Sequence, residues 1–148
     1  MQTKKSFNKV NLLESELTYK VRGVFLNIAS KYGNKFKENF YHNLCKEYFI
    51  NRQIKFSSKN KILLRSEDTG KVLDFYIPDF IIKDKILVEI KAQHQVLESH
   101  TDQLLKYLSV SKYEIGFLVN FGSVKVQILR RIFTNDRKRI FVCNAENH

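Results

Sequence analysis

Apolar residues recur every three or four positions along the first fifty residues of the chain, which is the spacing of one face of an α-helix. The first stripe consists of Leu13, Leu17, Val21, Val24, Phe25 and Ile28. It predicts a helix to about Ser30, and Gly33 is expected to end it. A second helix, with Phe36, Phe40 and Leu44 on one face, should end near Phe49. Residues 1–10 are polar and basic, which favours a loose tail.

After residue 52 the pattern changes to extended runs of apolar residues, which are typical of strands. The expected elements are extended segments near 54–56 and 62–64, strands over 72–82 and 86–90, a helix over 97–110, and strands over 115–121 and 124–133. The strand–helix–strand unit over 86–121 favours a parallel pair with a right-handed crossover. The chain is therefore predicted to be one α/β domain over 1–148, a mixed central sheet of about five strands flanked by helices.

The charge of the chain narrows the classes of partner. The 26 Lys and Arg residues outnumber the 15 Asp and Glu residues, and the net charge is +11. A nucleic acid is the natural partner, an anionic membrane is a weaker candidate, and a basic but passive surface is the alternative. Basic residues concentrate over 31–61 and 125–139. No apolar run reaches the length of a membrane span and no signal peptide is seen, so a soluble cytoplasmic protein is expected.

Two residue types contribute little to the functional prediction. Cys45 and Cys143 are too few and too far apart for a disulfide framework or a zinc motif, so both are expected to be reduced and structural. The four histidines are scattered, and only His94 and His100 flank the polar segment described next. All four are interpreted as surface residues.

The candidate chemistry lies where two apolar runs flank the polar triplet 83–85. As a hairpin with a three-residue loop, this segment pairs Ile82 with Ile86 and places Asp79 directly opposite Glu89. The side-chain period of two then puts Asp79, Glu89 and Lys91 on one face of the hairpin. Like charges in directly opposed positions repel, and the apolar neighbours limit access of water. A hard divalent cation such as Mg²⁺ would relieve the repulsion; the alternative is a structural ion-pair network with Lys91.

These residues match a known signature. The spacing from Asp79 to Glu89-Ile90-Lys91, with Pro78 before the first acid, resembles the motif of the PD-(D/E)XK nuclease superfamily. Gln103 and Tyr107 resemble the QxxxY motif of its RecB-like branch. Glu38-Asn39-Phe40-Tyr41 is similar to the ExxY half of the GxxExxY proteins, a group within that branch. The resemblance covers about residues 16–133, with one departure: Lys35 stands where the motif has Gly, although Gly33 lies two residues earlier.

The resemblance implies a restriction-endonuclease-like core, a Mg²⁺ or Mn²⁺ cofactor and roles for particular residues. The implied metal ligands are Asp79, Glu89, the carbonyl of Ile90 and Glu38, and the implied catalytic or substrate-contacting residues are Lys91, Gln103, Tyr107 and again Glu38. Lys91 would orient water or stabilise developing charge, Gln103 would hold Lys91 or a phosphate, and Tyr107 would contact the phosphate backbone. The alternatives are a solvated Glu38, a plain ion pair of Lys91, and a core position for Tyr107.

Two functions follow from this interpretation. The first is a Mg²⁺-dependent deoxyribonuclease that hydrolyses phosphodiester bonds. The second is a non-catalytic nucleic-acid-binding module on a degenerate nuclease scaffold. Nothing in the sequence resembles a base-reading motif, so strong sequence specificity is not expected, and a homodimer is compatible with the sequence. The choice between DNA and RNA stays open at this point.

Overall fold

The computed structural model describes the backbone of residues 2–138 and the side chains of residues 14–138. Its helices are α1 (Gln2–Tyr32), α2 (Glu38–Asn51) and α3 (Glu98–Ser109), followed by a short 3₁₀ turn at Asn135–Arg137. Its strands are β1 (Phe56–Ser58), β2 (Ile62–Arg65), β3 (Val72–Tyr76), β4 (Phe80–Ile82), β5 (Ile86–Lys91), β6 (Ile115–Asn120) and β7 (Gln127–Ile132). Cys143 lies outside the described residues.

The first helix is longer than its apolar stripe predicts. Its backbone is helical from Gln2, so the expected loose tail over 1–10 is a wrong prediction for residues 2–10. Adding a residue to an existing helix costs far less than starting one, so a polar segment can extend a helix that an apolar face anchors. The predicted end is correct: Gly33 follows α1 in a left-handed conformation (φ 71°), and its N–H donates to the carbonyl of Ala29 at 3.0 Å.

Five strands form the central sheet in the order β1-β4-β5-β6-β7. Only the β5–β6 pair is parallel, and α3 connects these two strands as predicted. The other neighbouring pairs are antiparallel. The mixed α/β sheet flanked by helices is thereby confirmed.

The sheet is covered on both faces, which explains why β6 is buried along its whole length. On β5, Ile86, Val88 and Ile90 pack with the residues of α1 and α2, whereas Leu87 packs on the other side with Leu104 of α3. The larger cluster is centred on Phe25, whose ring makes edge contacts with three other buried phenylalanines. Cys45 is buried in this cluster as a free thiol, in agreement with its predicted structural role.

The predicted strand over 72–82 is interrupted. It consists of β3 and β4, separated by residues 77–79, and β3 pairs with β2 in a separate two-stranded sheet. Pro78 explains the break, because proline has no N–H to contribute to a strand ladder. This break matters for the candidate site, since it frees Asp79 from the regular pleat of β4.

No helix among the described residues is long and apolar enough to cross a membrane.

Candidate active site

The hairpin of β4 and β5 has the predicted register. Ile82 pairs with Ile86 and Phe80 with Val88. The loop is tight: Lys83 and Asp84 are both left-handed, and the N–H of Lys85 donates to the carbonyl of Ile82 at 2.9 Å. Asp79 precedes the first paired residue of β4, whereas Glu89 lies within β5.

Asp79 is the most strongly engaged acid of the candidate site. Its side chain is buried, at 4% exposure. Oδ1 lies 3.0 Å from Nδ1 of His42 and accepts a hydrogen bond from Nζ of Lys59 at 2.8 Å. Oδ2 accepts from the backbone N–H of Ile90 at 2.8 Å. Three partners from three different segments therefore hold this carboxylate at the end of the hairpin.

His42 was interpreted as a surface residue, and that prediction is wrong. Its ring is buried, stacks on Phe80 with centroids 4.4 Å apart, and places Nε2 3.1 Å from Oγ of Ser58. Burial lowers the pKa of the imidazole despite the neighbouring Asp79, so the ring is neutral at pH 7. Since the carboxylate can only accept, the neutral tautomer carries its proton on Nδ1. One signal could have revealed this role: His42 follows Glu38 by four residues and thus shares its helix face.

Glu89 is held by a different strand from those that hold Asp79. Its carboxylate accepts a hydrogen bond from the hydroxyl of Tyr76, at the end of β3. Burial raises the pKa of Glu89 to about 7, the Tyr76 hydrogen bond lowers it, and the charge of Asp79 raises it. The two acids therefore interact electrostatically, although each has its own set of partners. The hydrogen bond of Tyr76 to Glu89 was not predicted from the sequence, because it depends on the break in the chain between β3 and β4.

Gln103 and Tyr107, the predicted motif residues on α3, are linked to Glu89 through Tyr76. The ring of Tyr107 stacks on Tyr76 with centroids 3.6 Å apart and planes 9° from parallel. Gln103 is exposed, and its Nε2 donates to the hydroxyl of Tyr107 at 3.3 Å. Tyr107 is partly buried and packs against the α3-side cluster. It thus has the core contacts of the alternative interpretation, and contact with a phosphate stays a prediction.

The remaining candidate residues lie around the two acids. Lys91 is partly buried and lowers the pKa of Glu89 through its charge. Glu38 is exposed at the first position of α2 and interacts electrostatically with Lys59. Among the described side chains, no three acidic, histidine or cysteine groups are arranged to hold a metal ion. Because Glu38 is exposed and interacts with Lys59, it lies at the border of the site.

Asn120 supports the end of β5, where Lys91 is its partner in the parallel register. The side chain is fully buried, and its amide both donates to the carbonyl of Gln93 at 2.8 Å and accepts from the N–H of Gln93 at 2.9 Å. Gly122 packs so tightly here that an added Cβ would lie 2.4 Å from the nitrogen of Gln93. These contacts fix the chain immediately after Lys91.

The donor set fits a hard divalent cation. Asp79 and Glu89 supply carboxylate oxygens that repel each other, and an ammonium group already lies against Asp79. Mg²⁺ is commonly bound by one or two carboxylates and retains several waters, so two protein carboxylates are enough. The side chains of Glu89 and Lys91 are themselves partly exposed, so water can reach them.

The hydroxyl of Tyr76 offers a direct test of the Glu89 environment. In Tyr76→Phe, we expect weaker binding of Mn²⁺ at pH 7, by several-fold, because the lost hydrogen bond raises the pKa of Glu89 and a proton then competes with the metal. Calorimetric titration with Mn²⁺ at pH 7 and pH 9 measures the effect, which should shrink at the higher pH. Tyr107→Phe, which keeps the stacked ring, is the control; an equal loss in both variants would contradict this role of Tyr76.

The structure is thus an α/β protein whose central sheet carries two interacting acids and a lysine. A model of the PD-(D/E)XK nuclease superfamily matches residues 15–132, so the chain belongs to this superfamily. A solved structure titled "Crystal structure of SSO0001" aligns with 74% of this chain at a TM-score of 0.50 and 22% sequence identity. This likeness concerns the fold alone, and the chain spans about half of that protein, 55% of its length. No curated protein matches the chain.

Proposed function

We propose that the chain is a metal-dependent deoxyribonuclease that hydrolyses phosphodiester bonds with Mg²⁺ or Mn²⁺. The observation that supports this most is the buried carboxylate of Asp79, held by three partners and electrostatically coupled to Glu89 on the next strand. A structural ion pair does not require a second carboxylate. The negative charge of Glu89 is disfavoured by burial and by the charge of Asp79. A cation-binding site gives the second carboxylate a function, because a bound cation offsets the repulsion between the two acids.

In this proposal Asp79, Glu89 and the carbonyl of Ile90 would hold the cation, and Glu38 would be a further ligand. A bound divalent cation supplies a reactive water near neutral pH and neutralises phosphate charge. Lys91 lies beside Glu89 and stabilises the negative charge that develops on the phosphate. His42 and Tyr76 position the two carboxylates, each by a hydrogen bond that restricts the carboxylate to one orientation.

The helix motifs suggest a branch of the superfamily. Glu38 and Tyr41 are on α2, and Gln103 and Tyr107 are on α3, in the arrangement expected of the RecB-like GxxExxY group. Tyr41 is fully buried and donates to the carbonyl of Gly33 at 2.6 Å. The tyrosine of this motif thus ties α2 to the glycine that ends α1. In this chain Lys35 stands at the glycine position of the motif. Because Tyr41 binds the carbonyl of Gly33, Gly33 can make the turn between α1 and α2 instead.

The net charge of +11 favours a polyanionic substrate, and DNA is the form that we propose. The oligomeric state, including a homodimer, and the cytoplasmic location stay predictions from the sequence.

Two observations favour the alternative, a nucleic-acid-binding module without catalysis. The described residues hold no ready group of three ligands, and Glu38 is solvent-exposed. A site that lost its cation would keep the same basic surface and bind nucleic acid through phosphate contacts.

The two functions differ in their response to metal. We expect the purified protein to cleave DNA with Mg²⁺ or Mn²⁺ and to lose this activity fully in excess chelator. Ca²⁺ should support cleavage poorly, because its looser coordination positions water less well. Fragment analysis of single- and double-stranded DNA and of RNA, with each metal in turn, tests the proposal. Binding without cleavage under every metal would favour the module, and undiminished cleavage in chelator would exclude the metal mechanism.

A further inference from the structure

A basic side chain, Lys59, lies among the predicted metal ligands. Its ammonium donates to Oδ1 of Asp79 at 2.8 Å and interacts electrostatically with both Glu89 and Glu38. These are the three acids that the superfamily resemblance implies as ligands. A single lysine therefore interacts with all three of these acids.

The backbone at Lys59 is unusual for a residue with a side chain. Lys59 follows the end of β1 and adopts a left-handed conformation, with φ 57°. Glycine adopts this conformation without steric cost, whereas other residues pay for it. The N–H of Lys59 also donates to the carbonyl of Asp79 at 3.2 Å. The loop is thus anchored to Asp79 by backbone and side chain, at a position where glycine would be the less strained choice.

The partners of Asp79 differ in how easily they can leave. His42 is packed in the core, and the N–H of Ile90 is part of β5. The side chain of Lys59 is 58% exposed and can swing into solvent. A cation that binds Asp79 needs lone pairs of the carboxylate, and on Oδ1 one of these is used by the ammonium. Of the three partners, Lys59 is therefore the one that a bound metal would displace most readily.

We propose that Lys59 is an exchangeable counter-ion of the active site, which holds the acids before the divalent cation binds and then contacts a phosphate of the nucleic acid. This inference rests on the proposed function, because it assumes that the acids bind a metal. The released ammonium has the nearby substrate phosphates as its natural anionic partners, since lysine binds phosphate as a point charge. Lys59 would therefore join Lys91 as a second substrate-contacting lysine, delivered from the β1–β2 loop.

The experiment measures Mn²⁺ affinity by calorimetry in the absence of nucleic acid, for the wild type and for Lys59→Met. We expect Lys59→Met to bind Mn²⁺ about fivefold more tightly, because a competing ion pair worth roughly 1 kcal/mol has been removed. Lys55→Met, an exposed lysine from the segment that precedes β1, changes the net charge equally and should leave the affinity unaltered. Lys59→Gly provides a second variant that suits the left-handed backbone, so its folding is secure.

Cleavage should change in the opposite direction. For both Lys59 variants we expect kcat/KM for DNA to fall by about tenfold at saturating Mn²⁺, mostly through KM, because a phosphate contact is lost. Unchanged or weaker Mn²⁺ binding in both variants, or no Mn²⁺ binding by any of the proteins, would overturn the proposal. Tighter Mn²⁺ binding in a protein that never cleaves would leave the counter-ion exchange supported and contradict the nuclease function instead.

Discussion

Lys91→Ala is expected to lower the rate of DNA cleavage by about 10²–10³-fold, the range typical of losing one group that stabilises the transition state. Binding should change little, because the basic residues elsewhere in the chain still contact phosphates. The salt dependence of binding should stay steep for the same reason, since counterion release comes from many contacts. Single-turnover cleavage at saturating protein, together with DNA binding in Ca²⁺ over a range of salt concentrations, separates the two effects.

The charge of Lys91 also lowers the pKa of Glu89, so its loss could weaken metal binding indirectly. The assay therefore uses saturating Mn²⁺ at pH 8.5, which is above the pKa of Glu89 in the wild type. Lys106→Ala is the matched control, because Lys106 is an exposed lysine in the last turn of α3 and its removal changes the net charge equally. Equal losses of affinity and cleavage in Lys91→Ala would count against a catalytic role and favour the binding module.

The second large effect concerns stability. The pKa of Glu89 is raised from 4.5 to about 7 in the folded protein, mainly by burial. Between these values the folded protein holds a proton that the unfolded chain has released, so the contribution of Glu89 to the free energy of unfolding falls as pH rises. The loss is nearly complete above about pH 7 and amounts to about 3 kcal/mol. Metal binding should reverse it, because the cation stabilises the ionised carboxylate.

Glu89→Gln isolates this contribution. His42 has a lowered pKa and contributes the opposite slope, since the unfolded chain binds its proton first as the pH falls. The informative quantity is therefore the difference between the unfolding free energies of wild type and Glu89→Gln, measured by denaturant titration in chelator. We expect the two proteins to be similar at pH 4.5 and the variant to be the more stable at pH 8. Parallel profiles would show that the Glu89 carboxylate is not destabilised in the folded protein.

The hairpin that carries the acids could be predicted from the sequence because its geometry is local. Two apolar runs around a polar triplet leave one register that buries both runs, and the pairing of Ile82 with Ile86 follows from the loop length. The spacing of Asp79, Glu89 and Lys91 then matches the superfamily signature without knowledge of the rest of the fold. The parallel β5–β6 pair was likewise predictable, because a strand–helix–strand unit has a preferred arrangement.

The partners of the two acids were decided only by the tertiary structure. His42 and Lys59 are 37 and 20 residues from Asp79 along the chain, and Tyr76 is 13 residues from Glu89. β1 pairs with β4, which brings Lys59 to Asp79, and α2 packs on the sheet with His42 facing inward. Apart from the four-residue spacing of Glu38 and His42, no periodicity or spacing indicates these contacts, because they depend on the strand order and on the packing of helices against the sheet. The sequence by itself thus determined the acids and their lysine, whereas packing between distant segments decided what holds each acid in place.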